Sequence, residues 1–285
     1  MTVFYSTTHF PFASPYPYYK RYADLSYRGP HRYHKYTIVG RKETTTASDE
    51  RQVGDLYDGA LRAVDEQVGR LLDELERRGL ADNTIVFLFG DHGEDLYESP
   101  DIPVIHGEQL RSEYSPKTAL VVAGPNIPRG RRIDARIPMI DLAPTVAWYA
   151  GMPLRAPEGQ SLAPLIDGTE SGDRPVFIET GLWYALEGNG FYQQRRLPYP
   201  DVTAILEVDP EDNHEIVLQK QWAALTNAAK HQAVILDDWK LIRMPLVEGD
   251  AFELYDLDAD PECRKRSRGR APRQSRRAGG SAPRA

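Results

Sequence analysis

The sequence predicts an α/β fold, and three observations carry that reading. An amphipathic helical run spans Val53 to Leu75. An unbroken apolar strand, Thr84 to Phe89, follows directly behind it. A second strand, Thr118 to Val122, then leads into a helix from about Met139 to Ala150. Helix, strand, strand and helix in that order are the units of a layered α/β architecture.

Each element has a local cause. At the start, "MTVFYSTTHFPF" alternates apolar residues at Val3 and Tyr5, which predicts a first strand with His9 at its end. The prolines and tyrosines that follow exclude a central strand or helix and predict an extended surface loop, with His31 and His34 on its surface. Val53, Leu56, Ala60, Val64, Val68, Leu71 and Leu75 then recur every three or four residues, and Gly79 stands where a helix C-cap belongs. The continuous apolar run to Phe89 suits a central strand covered on both faces, as in a parallel sheet. In "IPMIDLAPTVAWYAG", Asp141 falls in the first turn of a helix, Pro144 is tolerated near that start, and Gly151 ends it. Beyond about Leu165, "VFIET", "TAILEV" and "AVILDDWKLIRMP" read as short strands joined by turns. The organisation expected is therefore an α/β portion over 1–168, a smaller antiparallel unit over 169–262, and a disordered basic tail over 263–285.

Bulk properties narrow the class. The 285 residues suffice for one large or two modest domains, and 41% apolar with 27% charged residues is globular composition. No apolar run approaches the roughly 18–20 residues of a membrane helix. The single cysteine, Cys263, excludes an internal disulfide. Arg264 to Arg284 holds eight arginines and one lysine without an acid, so residues 1–263 carry −16 against the total of −7. A solvated, disordered tail accounts for that run, and no nucleic-acid partner is expected.

The chemistry concentrates in "FLFGDHGEDL". Asp91 and His92 leave a strand at its carboxyl end, where open α/β sheets bind ligands. A carboxylate beside an imidazole suits a divalent metal, Gly90 and Gly93 let the chain turn sharply, and Glu94 and Asp95 add negative charge. Alone, the same stretch also fits an ordinary acidic turn that caps the next segment. His9 and His106 stand in polar loops next to strands, and each, taken singly, reads first as a loop histidine and only second as a site residue.

The order "FYSTTHFPF", "LYDGALRAVDEQVGRLLDELERRGL", "DNTIVFLFGDHGE", "HGEQLRSEYSPKTALVVAGP", "DLAPTVAWYAGMPL" and "WKLIRMP…FELYDLDADP" resembles the sulfatase family of the alkaline phosphatase superfamily, over nearly all of residues 1–263. The resemblance implies an alkaline phosphatase-like three-layer α/β/α sandwich. Residues 1–168 would be the C-terminal portion of its catalytic domain, incomplete in this chain, with the small antiparallel subdomain behind it. It implies hydrolysis of sulfate monoesters on a sulfated small molecule or glycan, with phosphodiesterases and phosphoethanolamine transferases of the superfamily as the alternative. It implies one divalent metal, usually Ca2+, for which Asp91 and His92 match the later ligand pair. His9 matches a histidine at the sulfate or leaving oxygen, and His106 is the candidate for a second such group.

Two departures accompany the likeness. The family makes its formylglycine nucleophile from a Cys/Ser-x-Pro-x-Arg motif, which is absent here, and Cys263 is followed by Arg264-Lys265-Arg266 instead. The acidic pair that completes the metal site is absent too. Asp237-Asp238 imitates such a pair but falls where a hairpin is expected. These gaps predict a fragment that is inactive alone, or a non-catalytic remnant that associates through uncovered core surface.

Overall fold

The structure is a computed structural model that describes residues 1–32, 45–98, 110–152, 154–155, 157–181, 197–198, 200–211 and 213–264. Its first helix, α1 (Ala47–Arg77), starts two turns earlier than the apolar periodicity alone requires. The cause is a capping box. Thr46 Oγ1 accepts from the Asp49 amide at 3.2 Å, and the Asp49 carboxylate accepts from the Thr46 amide at 2.9 Å. Gly79, at φ 66°, follows the helix end and gives the left-handed turn that releases the chain. Val53, Leu56 and Ala60 are fully buried, whereas the later stripe residues Val64, Val68, Leu71 and Leu75 are only half-buried.

Strand β1 (Val86–Phe89) follows, and β2 (Leu120–Ala123) pairs with it antiparallel, Val86 opposite Ala123 and Phe89 opposite Leu120. This corrects the expectation of a parallel strand covered on both faces. Among the described residues β1 has one neighbour. One face, with Ile85, Leu120 and Val122, packs against Ile127, Leu162, Leu165 and Ile166. Leu88, Phe89 and Val121 stay 42–55% exposed.

A 3-10 turn over Met139–Asp141 leads into α2 (Leu142–Tyr149), closed by Gly151 at φ 64°. Asp141 does not cap that helix. Its buried carboxylate instead accepts from the Gln160 amide at 2.8 Å and from Arg174 Nη1 at 2.6 Å, which ties the loop behind α2 to the next segment. The short helix α3 (Ala163–Asp167) then supplies Leu165 and Ile166 to the core under β1 and β2.

The C-terminal part is antiparallel, as its short apolar runs predict. Strand β3 (Val176–Glu179) is followed by a helical turn α4 (Val202–Ile205), then β4 (Leu206–Asp209), β5 (Glu215–Leu218), α5 (Ala223–Ala229), β6 (Gln232–Leu236), β7 (Trp239–Leu246) and β8 (Gly249–Asp256). The sheet order is β3-β6-β7-β8, with β4 and β5 as a separate hairpin. "TAILEV" is a strand only in its second half. Asp201 accepts from the Thr203 amide at 2.9 Å and caps a single helical turn first. Asp237-Asp238 is the turn between β6 and β7, with Asp237 at φ 50°.

Three further readings change. Residues 1–12 form no strand among the described residues, and Val3 and Phe4 stay exposed. His31 is buried, 3% exposed, rather than on the surface. Gln52 Nε2 donates to its carbonyl at 3.2 Å, and burial holds its imidazole pKa low. His34 lies outside the described residues. Cys263, taken as the first residue of the tail, packs instead among Leu110, Ile242, Met244 and Tyr255. The basic run beyond it, 265–285, lies outside the described residues.

Candidate active site at the end of β1

The end of β1 is shaped by close backbone approach. The Gly90 amide donates to the Ala119 carbonyl at 3.3 Å and the Gly93 amide to the Ser115 carbonyl at 2.8 Å. A Cβ on Gly93 would stand 2.0 Å from the Tyr114 carbonyl oxygen and 2.4 Å from that of Lys117, so only glycine lets the turn lie against this loop. Between these two anchors the chain presents Asp91, exposed, and His92, half-buried.

The imidazole of His92 is oriented by its own turn. Nδ1 lies 2.7 Å from the Gly93 carbonyl oxygen, which can only accept, so Nδ1 carries a proton and, in the neutral ring, Nε2 holds the lone pair. Nε2 stands 3.8 Å from Asp91 Oδ1. One ion with ligand bonds of about 2.0–2.5 Å can bridge that span. A carbonyl holding the far nitrogen is also the arrangement that metal-binding histidines use. The pair therefore fits a divalent cation as two of its ligands. Among the described residues no third His, Cys, Asp or Glu joins them.

His9 reaches the same place from the other end of the sequence. Its ring centroid lies 6.5 Å from that of His92, edge to face. A tight turn places it there: the His9 amide donates to the Ser6 carbonyl at 3.0 Å and the Phe12 amide to the His9 carbonyl at 2.9 Å. The turn is fastened by Phe12, which is fully buried against Val53 and Ala60 of α1, its ring 5.4 Å from that of Tyr57. Burying such a side chain is worth about 1.5–3 kcal/mol. His9 Nδ1 lies 2.7 Å from the Phe10 carbonyl oxygen, the same local contact that His92 makes with Gly93.

Of the residues singled out in the sequence, the structure thus brings Asp91, His92 and His9 together. His106 lies outside the described residues. Asp95 turns inward instead of adding to the exposed charge beside Asp91. It is fully buried and accepts from Ser112 Oγ at 2.9 Å and from the Tyr97 amide at 3.2 Å. Cys263 is buried, and that burial pushes its thiol up to about 12, which suits a core residue and not a nucleophile. The sequence reading missed two buried ion pairs behind this turn, Lys240 Nζ with Glu113 at 2.5 Å and Arg111 with Glu253. One signal was present: Lys240 shares alternation with Ile242 and Met244 in "WKLIRMP", a charge in the buried register of a strand.

Solved structures resemble this one across most of its length. A phosphonate monoester hydrolase of Agrobacterium radiobacter matches with TM-score 0.57 and 22% identity over 79% of this chain and 39% of its own. BT4656, solved with its substrate D-glucosamine-2-N,6-O-disulfate, matches with TM-score 0.54 and 23% identity over 76% and 36%. The fold is the alkaline phosphatase-like α/β class.

Within that class, residues 1–152 match the family described as Sulfatase, and the chain belongs to it. It is 32% identical over 121 residues to a sulfatase of Formosa agariphila, covering 42% of this chain and 23% of that protein. It is 27% identical over 220 residues to a choline-sulfatase of Rhizobium meliloti, covering 76% and 33%. It is also 27% identical over 210 residues to an N-acetylglucosamine-6-O-sulfatase of Bacteroides thetaiotaomicron, covering 72% and 30%. The matched region is a third or less of the length of these relatives. No helix among the described residues is long and apolar enough to cross a membrane.

Proposed function

We propose that this chain carries one side of the active site of a sulfuric ester hydrolase. Asp91 and His92 hold a divalent cation, Ca2+ by the family's usage, and His9 serves the leaving oxygen of a sulfate monoester. The observation that supports this best is the approach of His9 to within 6.5 Å of His92, through packing rather than chain proximity. With Nδ1 committed to a carbonyl, His9 Nε2 is the atom that exchanges a proton. Protonated, it donates to the departing oxygen; neutral, it accepts. When bound, the cation supplies charge stabilisation on the nonbridging sulfate oxygens. His106 remains the candidate for a second donor.

The formylglycine motif is not among the 285 residues, and no acid doublet in them takes the place of the pair that would complete the metal site, Asp237-Asp238 being the β6–β7 turn. The chain by itself is therefore expected to turn over sulfate esters little or not at all. A sulfated sugar or small molecule is the substrate class, as the names of the N-acetylglucosamine-6-O-sulfatase and choline-sulfatase relatives suggest.

The test follows the histidine signals by NMR while Mn2+ is added as a paramagnetic probe. Selective broadening of His92, removed by Asp91→Ala, is expected, and no broadening at His92 overturns the metal assignment. An aryl sulfate assay with Ca2+ runs alongside it. Clear turnover abolished by Asp91→Ala would show the chain to be competent alone.

A second reading, phosphonate or phosphodiester hydrolysis, draws on the phosphonate monoester hydrolase fold and on 29% identity over 186 residues to the multifunctional alkaline phosphatase superfamily protein PehA of Trinickia caryophylli. Titrating phenyl sulfate and a phenyl phosphonate monoester against the His9 signal separates the two. A non-catalytic module that associates through exposed Phe89 and Val121 is the third reading. A compact monomer in sedimentation counts against it.

A further inference from the structure

The turn that presents Asp91 and His92 is held by the loop over Arg111–Ser115, and that loop is held in turn by two buried charges of the C-terminal sheet. Lys240 of β7 is fully buried, and its Nζ donates to Glu113 Oε1 at 2.5 Å and to the Ser112 carbonyl at 3.3 Å. Glu253 of β8, 2% exposed, receives both Nε and Nη2 of Arg111, the first at 2.5 Å, together with the Tyr255 hydroxyl at 2.8 Å. The loop passes this on in two ways. Ser112 Oγ donates to Asp95 at 2.9 Å while accepting from the amides of Tyr114 and Ser115 at 3.0 and 3.2 Å. The Ser115 carbonyl accepts from the Gly93 amide at 2.8 Å.

We infer that Lys240 and Glu253 are positioning residues for the Asp91–His92 pair, acting through Ser112, Ser115 and Gly93. The inference rests on the metal reading proposed above for that pair. Its physical basis is the cost of burying ions. A buried charge is tolerated only with good geometry and full pairing, so Lys240 and Glu253 restrict the loop to the one placement that pairs both. Two apolar residues at these positions would leave the loop free to slide, because hydrophobic contact is not directional. The Gly93 carbonyl orients His92 Nδ1, so a shift of the Gly93 peptide turns the imidazole itself. Outer partners of this kind typically govern metal affinity by about 10–100-fold.

Lys240→Met in the full chain tests this through amide hydrogen exchange. Exchange at Gly93 is expected to accelerate about 10-fold, with the β6–β7 ladder amides unchanged. About 10-fold more Mn2+ should then be needed to broaden His92. Lys240→Met leaves Glu113 without its cation, so Lys240→Met/Glu113→Leu removes both charges and is read in its place if the single variant does not fold. Ser112→Ala, which leaves the buried ions untouched, should give the same loss at Gly93. Unchanged Gly93 protection in the folded lysine variants overturns the inference. So does a loss shared equally by the β6–β7 amides, which would mark general destabilisation. If Mn2+ fails to broaden His92 in the unmodified chain, the metal reading fails, while the exchange at Gly93 still decides whether the sheet positions the turn.

Discussion

Replacing Gly93 by alanine puts a methyl group where no space exists. The new Cβ would lie 2.0 and 2.4 Å from two backbone carbonyl oxygens, whereas ordinary contact begins near 3.4 Å. Neither oxygen belongs to a side chain that can swing aside, so the strand end and the loop must part by more than about 1 Å. Overpacking of this kind costs about 1–3 kcal/mol. The Gly93 amide bond to Ser115 is lost as well, at about 1 kcal/mol. A total near 3 kcal/mol corresponds to a fall in Tm of about 6–12 °C for a domain of this size. Thermal and urea unfolding, followed by tryptophan fluorescence, measure it. Gly69→Ala is the control, because a Cβ there meets nothing within 4 Å in the middle of α1. It should stabilise by about 0.5–1 kcal/mol. Equal stability of Gly93→Ala and the unmodified protein would refute the close approach, and with it the account of how the Asp91–His92 turn is held.

Three further outcomes are expected. Cys263, its thiol pushed up to about 12 by burial, should react with iodoacetamide at pH 8 about 10³-fold more slowly than an ordinary thiol near 8.5, and denaturant should abolish the difference. Its folded pKa lies above the unfolded one. Between about pH 9 and 12 the unfolded chain therefore binds fewer protons, so this stability is complete below about pH 9 and is lost as pH rises toward 12, which alkaline unfolding curves will show. Thr46→Ala removes the capping box and should cost about 1 kcal/mol by urea unfolding, without moving the His9 or His92 signals.

Much of this molecule is local and was therefore legible. The stripe from Val53 to Leu75 marks a helix because 3.6-residue periodicity is a property of the chain itself. "AVILDDWKLIRMP" marks a hairpin because an acid doublet between two apolar runs favours a turn. Asp91-His92 between two glycines marks a strand end with a sharp turn, and a Cβ on Gly93 would meet two backbone carbonyls there. The readings that failed all depended on partners. An apolar run cannot say whether it has one neighbouring strand or two, so β1 was taken for a parallel central strand when β2 pairs with it antiparallel. Val3 and Tyr5 alternate as a strand would, but no ladder among the described residues receives them. Asp95 looked like a spare charge for a cation and is consumed by Ser112.

By itself, then, the sequence determined most of the elements and the family, because propensity, periodicity and motif order are written along one dimension. Only the tertiary structure decided that His9 stands beside His92. It also decided that Asp95 turns inward and that two buried charges of a distant sheet hold the turn between them. Those relations are distances between segments far apart in the chain. They come from burying Phe12 against α1 and from pairing Lys240 and Glu253, which no single segment can do alone.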